Sequence, residues 1–159
     1  MVLNARFLRQ RRHARTSAEV ADVIAELMAT LNSDHYPKEF PATGDIAIIC
    51  FADECLYKRI PANGEENHLQ ASMNRATGHG AFIWYPPDGQ VWISDNASPP
   101  AFDTRVIADP GYPLFHDPAS TLPLSQFQKV LEEFCYAGTG DRPTGTDWVP
   151  GDMCGRRED

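Results

Sequence analysis

The side chains that could perform covalent chemistry are the cysteines and histidines. The four cysteines, Cys50, Cys55, Cys135 and Cys154, are too scattered for a zinc knuckle and too few for a disulfide scaffold, so we interpret them as reduced thiols. A thiol-dependent hydrolase would need one of them beside a histidine, for example Cys55 or Cys135 with His79. The spacing of the histidines places no two of them on one helix face, so no metal site is predicted.

Carboxylate pairs are the other potential source of chemistry. Adjacent residues point to different sides of a strand or helix, so these pairs do not form an acid–base dyad. The pairs are Asp53-Glu54, Glu65-Glu66 and Glu132-Glu133. The chain also lacks the nucleophile elbow, the phosphate-binding loop, the dinucleotide fingerprint and the zinc motifs of proteases and nucleobase deaminases. We therefore predict that the protein is not an enzyme and needs no cofactor or metal.

The charge is distributed unevenly along the chain. Five of the 14 basic residues lie in the first 15 positions, so the remaining nine stand against all 22 acidic residues. The five are Arg6, Arg9, Arg11, Arg12 and Arg15. An acidic body repels nucleic acid and attracts basic partners. The arginine run contains no aromatic residue beyond Phe7 and is interpreted as a solvated first strand, with a nucleic-acid-binding arm as the alternative.

The start of the chain does not read as a targeting signal. Arg11-Arg12 is followed by a polar stretch, whereas a secretory or twin-arginine signal needs an apolar run there. No stretch has the length and apolar character of a transmembrane helix. We therefore expect a cytoplasmic protein.

Two helices are predicted from apolar periodicity. The first begins at a capping box formed by Thr16 and Glu19, and the second begins near Pro123 and ends at Gly138. The apolar stripe of the first helix is Val20, Val23, Ile24, Leu27, Met28 and Leu31. That of the second helix is Leu124, Phe127, Val130, Leu131 and Phe134. Both stripes have the 3.6-residue period of an amphipathic helix.

The remaining segments are predicted to form β structure and loops. Residues 45–51 and 55–60 are rich in strand-forming residues and predict a hairpin, whereas residues 61–78 are polar and predict a long loop. Short strands are expected over 102–108 and 144–149.

Residues 80–95 give the clearest hairpin, because a Pro-Pro-Asp-Gly turn separates two apolar runs. We expect Tyr85 to pair with Gln90, which would place Phe82, Trp84, Val91 and Ile93 on one face. The other face is apolar as well, so either helices or loops cover both sides or one face awaits a partner.

These elements predict an α+β fold. We expect a single antiparallel or mixed sheet of about five to seven strands with two helices packed on it. Residues 1–150 would form one domain, and residues 151–159 would be a disordered tail.

The C-terminal block resembles immunity protein family 1 of bacterial polymorphic toxin and contact-dependent inhibition systems. That family ends with the pattern P-L-x…A-L-x-E-F-x-x-T-G-x-R-P-x-x-x-x-W. The matching residues are Pro123-Leu124, Val130-Leu131-Glu132-Glu133-Phe134, Gly138-Thr139-Gly140, Asp141-Arg142-Pro143 and Trp148. This chain departs from the pattern in its longer AGTGDRP segment and in its longer 61–78 loop. The resemblance is specific over this block and architectural elsewhere.

The resemblance implies a protein that binds and blocks a toxin domain in the cytoplasm of the producing cell, typically a toxin of the nucleic-acid deaminase class. It implies binding and not catalysis. We interpret the motif residues as structural, with Arg142 pairing with Glu133 or capping backbone carbonyls and Trp148 packing on the second helix. The motif residues are Phe134, Gly138, Gly140, Arg142, Pro143 and Trp148.

We expect the toxin to be contacted by acidic loops around the predicted hairpins, because carboxylates can stand in for phosphates in a basic groove. The acidic candidates are Asp53, Glu54, Glu65, Glu66, Asp88 and Asp95, with Tyr57 or Trp92 as an aromatic anchor. Two alternatives stay open at this point. One is a small thiol-dependent hydrolase, and the other is a nucleic-acid-binding module that uses the arginine-rich start.

Overall fold

The computed structural model describes residues 1–33, 46–60 and 66–159. The strands are β1 Val2–Phe7, β2 Gln10–Ala14, β3 Ala47–Ala52, β4 His68–Asn74, β5 His79–Tyr85, β6 Val91–Asp95, β7 Ile107–Asp109, β8 Leu114–Phe115, β9 Leu122–Pro123 and β10 Asp147–Gly151. The helices are α1 Ser17–Thr30 and α2 Leu124–Ala137. In the described residues, eight strands form one sheet in the order β10-β6-β5-β4-β3-β1-β2, with β9 paired to β5. The predicted α+β class is confirmed.

The arginine-rich start forms a β-hairpin and not a single solvated strand. β1 lies between β3 and β2, so all of its side chains except Arg6 are buried. The two strands are joined by Leu8 and Arg9, whose φ angles are +50° and +60°. A two-residue hairpin turn with both φ values positive matches the right-handed twist of the strands. The expectation for this segment was wrong because the register of β1 with β3 draws it into the sheet.

The helices cover one face of the sheet. The predicted capping box of α1 is confirmed, since Thr16 Oγ1 accepts from Glu19 N at 3.2 Å and Glu19 Oε2 accepts from Thr16 N at 3.1 Å. On α2, the Phe127 ring stacks on Phe82 with ring centroids 4.5 Å apart and lies over Gly80, where a β-carbon would collide with it. The close approach of α2 to β5 therefore depends on that glycine.

The other face is covered by the segment between β6 and α2 and by the C-terminus. β7 and β8 form a small second sheet there, and Val106, Ile107 and Ala108 are buried. Helices on one side and loops on the other therefore cover the two apolar faces of the β5–β6 hairpin.

β4 lies inside the segment predicted to be a loop over 61–78. Its polar side chains find partners on the loop-covered face: Gln70 Nε2 donates to Ala108 O at 2.7 Å, and Asn74 Nδ2 donates to Arg105 O at 3.1 Å. Buried polar side chains are tolerated when they are hydrogen-bonded. The loop prediction was wrong because it treated these polar residues as solvated.

Residues 55–60 do not form the predicted strand. The side chain of Asn4 binds the backbone of this segment and of the residue before it. Its Oδ1 accepts from Leu56 N at 2.8 Å, and its Nδ2 donates to Glu54 O at 3.1 Å. Backbone groups that a buried side chain satisfies do not require a strand partner. The predicted hairpin at 52–54 is therefore replaced by an irregular segment packed on β1.

The predicted β5–β6 hairpin is present, with a different register. Trp84 pairs with Trp92, which is one residue away from the expected pairing of Tyr85 with Gln90. A one-residue shift moves every side chain of a strand to the opposite face. Trp92 therefore shares the helix-covered side of the sheet with Trp84, and Ile93 lies on the other side.

The last residues fold back on the sheet, contrary to the expected disordered tail. Gly151 bridges Arg157, whose guanidinium contacts Asp95 at 2.8 Å and Asp159 at 2.6 Å. The Arg157 side chain is only 13 % exposed, so these carboxylates compensate a charge that has lost most of its water. The pairing of Arg157 with Asp95, the bridge to Gly151 and the hydrogen bond from Glu158 N to Pro150 O hold residues 152–159 in a defined position.

Candidate functional site

Four of the motif residues, Gly138, Gly140, Arg142 and Pro143, lie in the loop that follows α2, residues 138–146, which we call the motif loop; Phe134 lies on α2 and Trp148 on β10. Gly138 has φ +71° and ends α2 in the left-handed conformation, as predicted for a glycine C-cap. Gly140, with φ +77°, reverses the chain again. Its carbonyl accepts a hydrogen bond from Trp84 Nε1 at 3.0 Å, which ties the motif loop to β5.

Arg142 does not make the contact expected from the sequence. Its guanidinium carbon lies 4.2 Å from the ring centroid of Trp92 and 5.8 Å from that of Trp84. These distances are within the range of a cation–π interaction. The side chains of all three residues are half-buried, so the group is part of the protein surface.

Glu133, one of the two partners expected for Arg142, binds the backbone of the motif loop instead. Its carboxylate accepts from Thr144 N at 2.6 Å, from Thr144 Oγ1 at 2.9 Å and from Gly145 N at 2.8 Å. Partial burial raises the pKa of Glu133, but the hydrogen bonds from Thr144 and Gly145 outweigh it and leave the pKa below its ordinary value. The ionised carboxylate therefore fixes the second half of the loop.

Trp148 closes the same loop from β10. Its Nε1 donates to Pro143 O at 2.7 Å, and its ring packs against the hydrophobic core. Glu133, Trp84 and Trp148 thus hold three points of the motif loop, so Arg142 is presented on a fixed backbone.

The first group of acidic candidates lies in a segment that an arginine also contacts. Asp53 and Glu54 are exposed after β3, and Tyr57 is 68 % exposed with its ring centroid 4.9 Å from that of His13. Arg15 Nη2 lies 3.5 Å from Cys55 Sγ in the same segment. Asp53 and Glu54 therefore do not form a uniformly acidic surface.

The second group is only partly described. Glu65 lies outside the described residues, and Glu66 is half-buried just before β4. Glu66 Oε2 is buried without a hydrogen-bond partner among the described residues. Nothing in the described residues joins this carboxylate to Asp53 or Glu54.

The third group lies on the β5–β6 hairpin. Asp88 is exposed in the turn between the two strands, Trp92 lies beneath Arg142, and Asp95 at the far end of β6 is bound by Arg157. The structure therefore distributes the candidates over separate places. It brings Trp92 together with Trp84 and Arg142, a grouping that the sequence reading missed because its hairpin register put Trp92 on the opposite face from Trp84.

Two of the four thiols, Cys50 and Cys135, are placed unfavourably for nucleophilic chemistry. Burial, with a smaller contribution from a nearby glutamate in each case, raises the pKa of Cys50 and of Cys135 to about 12. A thiol is reactive as the thiolate, which such a pKa suppresses at neutral pH. The ring of His79 contacts Thr77 O and Phe102, whereas Cys55 contacts Arg15. The sequence-level pairing of His79 with Cys55 or Cys135 is therefore not among the described contacts.

Two further properties concern the part of the chain that the structure describes. It contains no group of three or more His, Cys, Asp and Glu side chains arranged to hold a metal ion. None of its helices combines the length and the apolar character needed to cross a membrane.

Comparison with known proteins identifies a family. The sequence model of the family described as "Immunity protein Imm1" matches residues 9–150, which is most of the chain and includes α1, α2 and the motif loop. The comparisons with curated proteins and with solved structures found no match. Because the family match spans nearly the whole sequence, the protein belongs to the Imm1 family of immunity proteins.

Proposed function

We propose that the protein binds and neutralises a cognate secreted antibacterial toxin domain that acts on nucleic acid, of the deaminase or nuclease type, in the cytoplasm of the producing cell. Membership in the Imm1 family carries the first part of this proposal, because it implies an immunity protein against a toxin. The proposed action is stoichiometric binding, with no turnover and no cofactor.

The charge distribution supports a partner that acts on nucleic acid. Such a toxin needs a basic groove for phosphates, and residues 16–159 carry 22 acidic side chains against nine basic ones. Opposite potentials accelerate encounter and help to select the correct partner. An acidic inhibitor is therefore suited to the basic groove of a nucleic-acid-acting toxin.

We further propose that the toxin contacts the Trp92 surface, which we define as Trp84, Asp88, Trp92, Asp141 and Arg142. Tryptophan and arginine are enriched among residues that dominate binding energy. Here they are half-buried and held by the motif loop, so little ordering is required on binding. Asp88 and Asp141 are exposed and lie close in sequence to Trp92 and Arg142, respectively. They supply negative charge for a basic toxin.

The alternative contact is the segment that carries Asp53, Glu54 and Tyr57, with Glu65 and Glu66 on the following stretch of chain. The cations near Asp53 and Glu54 weaken its attraction for a basic partner, so we rank it second. Asp95 ranks below both because Arg157 already neutralises it.

The experiment is co-expression with the C-terminal toxin domain encoded in the adjacent gene. We expect the two proteins to co-purify, and we expect cells that carry both to grow where cells that carry the toxin domain alone do not. An unrelated toxin domain of the same chemistry is the control and should not be neutralised. Growth arrest despite comparable expression of both proteins would contradict the proposal.

A further inference from the structure

The face of the β1–β2 hairpin that points away from the helices carries two arginines. Arg6 of β1 lies directly opposite Arg11 of β2, so two like charges face each other across the strands. Like charges in that position destabilise a sheet. Arg12 points to the helix side, where its Nε donates to Glu26 at 2.7 Å. The positive pair at Arg6 and Arg11 therefore has no role in holding the described helices.

A second segment adds charge to the same face. Arg11 Nη2 donates to Lys58 O at 3.1 Å, which brings Lys58 beside the hairpin. Over the part of the chain that the structure describes, Arg6, Arg11 and Lys58 form no ion pair. They form a local site for negative charge on an otherwise acidic protein.

The fold also supplies an aromatic side chain that the arginine run itself lacks. Tyr57 comes from the segment after β3, and its ring rests on His13 of β2 at a 58° angle, with centroids 4.9 Å apart. Tyr57 is 68 % exposed, so much of its ring faces solvent next to Lys58. Proteins that bind single-stranded nucleic acid use exposed aromatic rings for base stacking and nearby cations for phosphate contact.

We propose that Arg6, Arg11, Tyr57 and Lys58, which we call the hairpin surface, bind single-stranded nucleic acid. The guanidinium and ammonium groups contact phosphates, and an unpaired base stacks on Tyr57. An acidic polypeptide would use the same cations but would leave the exposed ring without a function. The proposal is independent of toxin neutralisation, which we assign to the Trp92 surface. That surface lies on β5 and β6, towards the opposite edge of the sheet from β1 and β2.

The test is fluorescence anisotropy of labelled single strands of about 12 nucleotides, thymidylate and uridylate, at about 50 mM salt. A duplex of the same length and a polyglutamate competitor are run in parallel. We expect saturable binding of the single strands that weakens strongly at about 200 mM salt and is at least about fivefold tighter than binding of the duplex. Polyglutamate at equal charge should compete poorly.

Matched variants locate the binding. Arg6→Gln/Lys58→Gln should weaken single-strand binding about tenfold, whereas Lys129→Gln/Arg156→Gln removes the same charge elsewhere and should change it less than about twofold. Tyr57→Leu should weaken single-strand binding about fivefold and leave duplex binding unchanged. Circular dichroism spectra establish that each variant is folded.

Three results would overturn the proposal. They are no saturable binding by the folded wild-type protein, equal losses in the two charge variants, and no effect of Tyr57→Leu. Polyglutamate that displaces the strands efficiently would reassign the hairpin surface to an acidic polypeptide. Toxin protection by Arg6→Gln/Lys58→Gln is expected to equal that of the wild type, so failure here is distinguishable from failure of the immunity function.

Discussion

Arg142 lies over the indole of Trp92, with its guanidinium carbon 4.2 Å from the ring centroid. The two residues come from different parts of the chain, since Trp92 belongs to β6 and Arg142 to the motif loop. The backbone that presents Arg142 is held by Glu133 and Trp148. The contact thus joins the family pattern to the surface that we assign to toxin binding.

This contact has a measurable effect on stability. Arg142→Gln removes the cation from a half-exposed ring and should lower the free energy of unfolding by about 0.5–1 kcal/mol, which corresponds to a decrease in Tm of roughly 1–4 °C. Arg142→Lys should retain part of the effect. Lys129→Gln removes a cation from an exposed position on α2 and serves as the control. A Tm of Arg142→Gln equal to that of the control would mean that the ring contact contributes nothing.

Trp92 is the predicted anchor for the toxin. Trp92→Ala should weaken toxin binding by about 2 kcal/mol or more, which is roughly thirtyfold in Kd, whereas Trp92→Phe should retain part of the affinity. Tyr112→Ala is the matched control, because Tyr112 is 75 % exposed in the turn before β8. Isothermal titration calorimetry against the toxin domain gives both values. A folded Trp92→Ala protein with wild-type affinity would remove Trp92 from the interface.

Charge reversal separates the two acidic candidate regions. Asp88→Lys/Asp141→Lys should weaken toxin binding about tenfold or more and reduce its dependence on salt, because it places cations against a basic partner. Asp53→Lys/Glu54→Lys makes the same change in charge near Arg15 and should have less than about a twofold effect. The reverse ranking would move the interface to the Asp53 segment and would extend the test to Glu65 and Glu66.

The stability of the fold should depend on the ionisation of His116. Burial lowers the pKa of His116 to about 4, and its ring nitrogens have no hydrogen-bond partner among the described residues. The unfolded chain binds a proton near the ordinary pKa of about 6.5, so the unfolded state holds more protons between about pH 6.5 and 4. Stability therefore falls as the pH falls through that window.

The expected contribution of His116 between pH 7 and pH 5 is about 2 kcal/mol. In urea unfolding, the free energy of unfolding of His116→Phe should therefore fall by about 2 kcal/mol less than that of the wild type between pH 7 and pH 5. Burial also lowers the pKa of His68 to about 4, so the variant should keep the part of the dependence that His68 contributes. Identical pH dependence in His116→Phe and the wild type would contradict this account.

Local signals in the sequence predict several elements well. α1 follows from the Thr16–Glu19 capping box and an apolar stripe, and α2 ends at Gly138 as predicted. The β5–β6 hairpin follows from its Pro-Pro-Asp-Gly turn. In each case residues close in sequence carry the signal, so no knowledge of distant contacts was required.

The errors come from contacts between distant parts of the chain. The sequence of β4 predicts a polar loop, because Gln70 is polar and its hydrogen-bond partner, the carbonyl of Ala108, lies 38 residues away. Residues 55–60 read as a strand because the sequence does not reveal that Asn4 binds their backbone. The sequence also predicted Glu133 or backbone carbonyls as the partners of Arg142, since neighbours in a motif are easier to pair than Arg142 and Trp92. Site geometry of this kind requires the three-dimensional fold.

The most direct test of the central claim is a calorimetric titration of the wild-type protein with its cognate toxin domain. We predict one-to-one binding with a nanomolar Kd that weakens as salt increases, and a loss of affinity of about thirtyfold in Trp92→Ala. Absence of measurable binding between the two folded wild-type proteins would contradict the account.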